Sequence, residues 1–223
     1  MIIVREGHQR LDNSALFDEM FRQRASVFGE TLGWDVCIDN QGREIDAYDR
    51  EDTVYLMSFA QDGTLNGSVR FLNTVTDHML TGPFQHMFPE ISVRSPLIWE
   101  ATRFYTHGPQ ERIGNHSSQT ACELLLGMCE FGLNFGVAQV IALMEASVIR
   151  VYRRCGLSQK ILGRYQSEHG LVLLGLWTIS TDLLASMREA TGISETVTTV
   201  GRPAFERLQL EGSLLLNTVR GMP

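Results

Sequence analysis

Several things are missing from this chain, and each absence narrows what it can be. No stretch approaches the roughly 20 uninterrupted apolar residues of a membrane span. The opening MIIVREGHQRLDNS has no basic segment followed by a long apolar run, so neither a span nor a signal peptide is expected. Cysteine is scarce: Cys37, Cys122, Cys129 and Cys155 form no C-x-x-C pair. Cys122 and Cys129 stand seven apart on an expected helix, a rise of about 10 Å, too far for a disulfide. Reduced thiols in a cytoplasmic protein follow, with no zinc site and no other metal. Positive charge is also short: the formal net charge of −7 argues against general nucleic-acid binding. No internal repeat or low-complexity linker divides the 223 residues, and 43% hydrophobic content can supply one core. One domain over 1–223 is expected, with 192–223 a C-terminal extension that packs loosely.

What is present alternates between strand and helix patterns. Residues 14–30 carry Leu16, Phe17, Met20, Phe21, Val27 and Phe28 at helical spacing. Residues 53–60 and 67–74 read as paired strands around the turn QDGTLN. Gly82, Pro83, Pro89 and Pro96 make 75–96 mostly loop, and 98–106 a strand. Residues 118–135 give the clearest helix, with Ser117 or Ser118 able to cap its start and Gly136 its end. A strand at 139–144, a helix at 147–155, a buried strand at 171–179 and a helix at 182–191 complete the α/β alternation.

The informative residues are charged ones inside segments that otherwise read as packed structure. Arg24 and Phe28 share a helix face, four apart, and Trp34 follows the helix end. Asp46 and Asp49 lie in the polar loop 39–52, where a solvated turn is the ordinary reading of two acids. Arg70 stands between Val69 and Phe71 in a strand and points opposite to both; facing a core, it needs a carboxylate, and Asp46 and Asp49 are the nearest in sequence. Glu100 and Arg103, three apart in one strand, face the same side only if that strand is bulged. Three arginines and the three carboxylates Asp46, Asp49 and Glu100 in one cleft would neutralise each other around a zwitterionic ligand.

This set resembles the LuxI-type acyl-homoserine-lactone synthases, the autoinducer synthases of bacterial quorum sensing. The resemblance rests on R-x3-F-x5-W (Arg24, Phe28, Trp34), D-x2-D (Asp46, Asp49), an arginine after G-S in a strand (Arg70) and W-E-x-T-R-F (99–104), in that order, and covers roughly residues 1–180. It implies one αβα domain of the GCN5-type N-acetyltransferase kind, three layers around a central mixed sheet. It implies an acyltransferase that acylates the amine of S-adenosylmethionine from an acyl thioester and then closes the lactone, releasing 5′-methylthioadenosine. S-adenosylmethionine is then a substrate, with no tightly bound cofactor. By the same resemblance Arg24, Phe28, Trp34, Asp46, Asp49 and Arg103 bind it, and Glu100, Arg103 and Arg70 serve catalysis, Glu100 deprotonating the amine directly or through water. An ordinary carboxylate is a weak base for an ammonium, so burial or a water relay has to help. The indole of Trp34 suits a sulfonium cation.

Arg150, Arg153, Arg154 and Lys160 belong to a run, 146–167, with no acid until Glu168. The bland reading is a solvated helix face; the family docks acyl carrier protein on the matching segment, and CoA is the alternative donor. The acyl pocket is expected from Met144, Ala142 and Leu125. Met144 falls at or beside the place where family members making 3-oxo products often carry threonine, which implies chains unsubstituted at C3. The segment 115–118 faintly resembles a phosphate-binding helix start. The pyrophosphate loop Q-x-x-G-x-[GA] of acetyl-CoA-dependent relatives is broken at 110–113. His8, His78, His86, His107, His116 and His169 show no catalytic spacing and read as surface or structural. Two rivals stay open on the residues alone: a CoA-dependent N-acyltransferase acting on another amine, and a non-catalytic ligand-binding homologue.

Overall fold

Eight of the described strands build a mixed sheet of order β10-β1-β2-β3-β4-β7-β9-β8, and four α-helices accompany it. The computed structural model describes residues 1–108, 112–113 and 117–199. The strands are β1 (Ile2–Glu6), β2 (Val54–Phe59), β3 (Leu65–Asn73), β4 (Ile98–Thr106), the short pair β5 (Arg112–Ile113) and β6 (Ser117–Ser118), β7 (Gln139–Glu145), β8 (Lys160–Ser167), β9 (Gly170–Thr178) and β10 (Thr198–Thr199). The helices are α1 (Ser14–Arg24), α2 (Gln119–Phe135), α3 (Ile149–Arg154) and α4 (Thr181–Thr191). Only β1–β10 and β4–β7 are parallel in the main sheet.

Helices cover both faces. On one, α2 buries Leu124, Leu125, Met128 and Phe131 against Val54, Leu56, Val69 and Phe71, with α4 behind it. Ser118 accepts from the Ala121 amide, and Gly136 ends α2 in the left-handed conformation at φ 71°, which glycine adopts without a Cβ penalty. On the other face, Phe17, Met20 and Phe21 of α1 pack on Tyr55, Met57 and Leu65. Residues 79–93 lay Leu80 and Phe88 over Ile141 and Leu174 of β7 and β9.

The expected helix over 14–30 changes character at Ala25, where a π-helical segment, Ala25–Thr31, carries the chain to Trp34. Such wide turns cost backbone geometry and concentrate near functional sites. Five strands went unread: β1, β5, β6 and β10, too short to show a period, and β8, whose polar residues and glycine resemble loop. The start of the expected loose tail is anchored. Glu130 of α2, 4% exposed, accepts from the amides of Val197 and Thr198 and from the Thr198 hydroxyl, and β10 joins β1. Most of the tail, 200–223, lies outside the described residues, as do 109–111 and 114–116, on which the readings at 110–113 and 115–118 largely fall. No described helix is long and apolar enough to cross a membrane.

One irregularity positions everything that follows. β4 and β7 pair only from Ile98↔Gln139 to Glu100↔Ile141; beyond that β4 stays with β3 and β7 stays with β9, so the sheet splits into a V.

Candidate active site

The V opens where β4 is bulged. Ser68 pairs with Tyr105 and Arg70 with Thr102, so β4 spends three residues where β3 spends two. Arg103 absorbs the excess at φ 53°, the one described non-glycine residue with positive φ. That conformation costs about 1–3 kcal/mol and persists only where surrounding contacts hold it. It turns Arg103 to the same side as Glu100, as the spacing requires, and both line a cavity of about 250 Å³ between the diverging strands.

Arg103 is held by an ion cluster on the α1 face. Arg24, at the end of α1, grips Asp49 with both terminal nitrogens (2.7 and 3.1 Å) and also binds Glu44. Arg70 grips Asp46 in the same way (2.6 and 3.0 Å), reaches Asp49 at 3.0 Å and donates through Nε to Thr102. Arg103 donates to Glu44 at 2.9 Å and to Asp46 at 3.1 Å. Tyr55 adds a hydroxyl to Asp49 at 2.8 Å. Three guanidiniums meet three carboxylates, so the buried charge is formally zero, which is what lets it persist there. Burial alone would push the Asp49 carboxyl up, but Arg24 and Arg70 outweigh it and hold Asp49 well below the usual carboxylate range.

The third carboxylate is Glu44, fully buried, and not Glu100 as the sequence suggested. Glu100 sits apart: its Oε2 accepts from the Met79 amide at 2.7 Å and contacts His78 Nδ1 at 3.1 Å, while Oε1 is buried with no partner among the described residues. His78, read as surface or structural, is 1% exposed and pressed against the expected base. Of the residues expected at the ligand, Phe28, Trp34, Glu100 and Arg103 line the cavity. Arg24, Asp49 and Arg70 stand behind its wall with their hydrogen bonds spent on one another, so geometry gives them a supporting place, and Asp46 anchors Arg103. Arg103 lies over the Phe28 ring at 5.4 Å, and Phe28 stacks on Trp34 at 5.0 Å. Trp34 is 37% exposed, at the mouth, and shares a second adjoining cavity with Phe84 and Met144.

The cavity continues through the split to the α2 face, where its walls turn apolar: Phe104, Met128, Ala142, Met144, Val148, Tyr152 and Trp177. Of the three residues expected in the acyl pocket, Met144 and Ala142 line this cavity, and Leu125 is buried in the core one turn before Met128, which lines it. Tyr152 and Trp177 were missed, because an aromatic in a buried strand or helix gives no signal of a cavity beside it. Trp177 Nε1 is a buried donor with no partner among the described residues. Arg150, Arg153, Arg154 and Lys160 are all exposed, the first three on α3 and Lys160 at the start of β8.

Comparisons with known proteins agree with one another. The family model for autoinducer synthase matches residues 8–183. An acyl-homoserine-lactone synthase from Rhizobium etli is 41% identical over 174 residues, covering 77% of this chain and 81% of that protein. One from Aeromonas hydrophila is 32% identical over 152 residues, covering 67% and 72%. Among solved structures, a CoA-dependent acyl-homoserine lactone synthase, BjaI, with SAM and isopentyl-CoA superposes with a TM-score of 0.79 at 26% identity, covering 94% of this chain and 99% of that one. An acyl-CoA N-acyltransferase from Pseudomonas aeruginosa shares the fold, with a TM-score of 0.52 at 15% identity.

Proposed function

The chain belongs to the autoinducer synthase family and makes an acyl-homoserine lactone from S-adenosylmethionine and an acyl donor; we propose the following division of labour among its residues. The observation that carries it is a cleft with two chemically different ends, joined where the sheet splits. A charge-balanced polar wall stands on the α1 face and an apolar sleeve on the α2 face. A zwitterion fits the first and an acyl chain the second.

S-adenosylmethionine lies against Phe28, Trp34 and Arg103. The indole face of Trp34 receives the sulfonium, and Arg103, already committed to Glu44 and Asp46, turns its remaining N–H toward the substrate carboxylate. Glu100 takes a proton from the ammonium, directly or through water. The amine then attacks the thioester carbonyl, and the facing edges of β4 and β7 beyond Glu100 and Ile141 offer backbone N–H groups to the oxyanion. The C–S bond breaks, the nitrogen gives its second proton to the departing sulfur, and the donor leaves as a thiol. The substrate carboxylate next displaces the sulfonium sulfur at Cγ, closing the ring and releasing neutral 5′-methylthioadenosine; positioning supplies most of that step. Mixing the protein with S-adenosylmethionine and an acyl thioester should release methylthioadenosine and a lactone in equal amounts by mass spectrometry; acylation without lactone would refute the reading. The setting is cytoplasmic, which suits a buried pair of thiols, Cys122 and Cys155, 3.0 Å apart.

The donor arrives as acyl carrier protein on the basic helix α3. Changing Arg150 and Arg154 to Glu should raise KM for the carrier-linked donor about tenfold and spare acyl-CoA, and salt should weaken the wild type's use of carrier protein in the same direction. Equal, salt-insensitive KM values would leave α3 as a solvated face and CoA as the donor.

Met144 sets the preference at C3. A thioether cannot donate, and a buried carbonyl left unpaired costs about 1–3 kcal/mol. Unsubstituted donors should therefore outcompete 3-oxo donors in the product profile, and Met144→Thr should narrow the gap. A wild type that prefers 3-oxo chains would overturn this and point to the unpartnered Trp177 Nε1 as the donor.

A further inference from the structure

His78 has no part in the chemistry set out above, yet it is wholly buried and bridges two parts of the site. Its Nε2 lies 3.0 Å from the carbonyl oxygen of Val93, and its Nδ1 lies 3.1 Å from Oε2 of Glu100. A carbonyl oxygen only accepts, so Nε2 carries a hydrogen. Nδ1 is then either a bare lone pair set against a carboxylate oxygen, which repels, or it faces a contact that holds a proton. If that proton sat on Glu100, the carboxyl would be spent as a base. Among the described residues Glu100 has no other cationic partner, and a buried carboxylate without one gives up its charge.

We propose that His78 is the buried counter-cation of Glu100: an imidazolium that keeps the carboxylate ionised and fixes Oε2, leaving Oε1 for the substrate ammonium. The inference rests on the reading of Glu100 as the proton acceptor, and makes His78 a positioning residue for it. The surroundings agree. Burial alone would push the imidazole down, but the hydrogen bond and charge of Glu100, the Val93 carbonyl and the neighbouring Asp77 outweigh it, and the net direction is up. Tyr48, facing the same acids from the loop before β2, is raised by burial and by Asp46, Glu100 and Asp77, and stays a neutral phenol. Arg70 spends its Nη2 on Asp46 and the Met79 sulfur, and Arg103 is committed to Glu44 and Asp46.

The test pairs kinetics with a direct view of the ring. His78→Asn keeps a donor near the Nδ1 position and removes the charge. Methylthioadenosine release should show KM for S-adenosylmethionine unchanged within about threefold and kcat lowered by up to about tenfold on the acid limb of the pH profile, which moves up by about one unit because Glu100 without its cation ionises later. A profile that superimposes on the wild type, or falls equally at every pH, would overturn the proposal. Should the variant fail to fold, nitrogen NMR on the wild type decides. One of the six histidines should keep both ring nitrogens protonated above the ordinary imidazole range and lose one in Glu100→Gln, whereas six rings that titrate in the ordinary range would sink the idea. A wild type that released no methylthioadenosine would refute the catalytic reading alone, since the NMR result is independent of turnover.

Discussion

Glu100→Gln should lower turnover by about 10²- to 10⁴-fold, the range expected when a positioned general base is lost, while the fold and the affinity for S-adenosylmethionine survive. Gln has the same shape, and its amide oxygen can still accept the Met79 N–H that now ends on Oε2. What disappears is an oxygen able to take a proton. Glu100 is fully buried and lines the cleft where β4 leaves β7, so no solvent-exposed acid can replace it. Isothermal titration with S-adenosylmethionine and single-turnover acyl transfer separate binding from chemistry. Unchanged turnover at neutral pH would remove Glu100 from the mechanism and leave the amine to be deprotonated before it binds.

The ion cluster should respond differently, in stability as well as activity. Arg70→Ala leaves three carboxylates facing two arginines in a region that is almost dry, Asp49 with Arg24 alone and Asp46 with Arg103 alone, and breaking a buried pair in this way costs about 3–5 kcal/mol. For a chain of this size that is a fall in Tm of roughly 6–20 °C. Asp46→Ala should cost less, since Arg70 keeps Asp49 and Arg103 keeps Glu44. The double variant should be less damaged than the sum of the two, by about 0.5–3 kcal/mol, because the second change restores equal numbers of buried arginines and carboxylates. Strict additivity of two small effects would mean that the cluster is not a network. Acid should act on the same contacts. Asp49 is depressed in the folded state, so its contribution is complete above the ordinary carboxylate range and is lost as pH falls through its lower folded value.

Much of this site was legible before any fold was known, and the reason is energetic. An arginine between Val69 and Phe71 in a strand, or four residues before Phe28 on a helix, cannot stay buried without a carboxylate, so the sequence itself demands partners. The bulge in β4 was required by the same logic, because Glu100 and Arg103 cannot otherwise share a side. Met144 and Ala142 were named through the family resemblance, since 140–144 is apolar at every position and its pattern does not fix which residues face α2.

What escaped had no local signature. Glu44 is one acid in a polar loop that also holds Asp39, Asp46, Asp49, Glu51 and Asp52, and only the approach of Arg24 and Arg103 from distant elements distinguishes it. His78 lies in a segment of turn residues, and nothing near it in sequence predicts a carboxylate 22 residues later. Leu125 and Met128 share a helix buried on nearly every side, so helical period could not decide which of them meets a cavity. The chain alone therefore determined which charges must be paired, which strand must be irregular and which family of reaction the set serves. The tertiary structure decided which acid pairs with which base and where the sheet parts to admit a substrate. Ion pairing and cavity formation depend on distance through space, and sequence spacing carries that information only within a helical turn or along a strand.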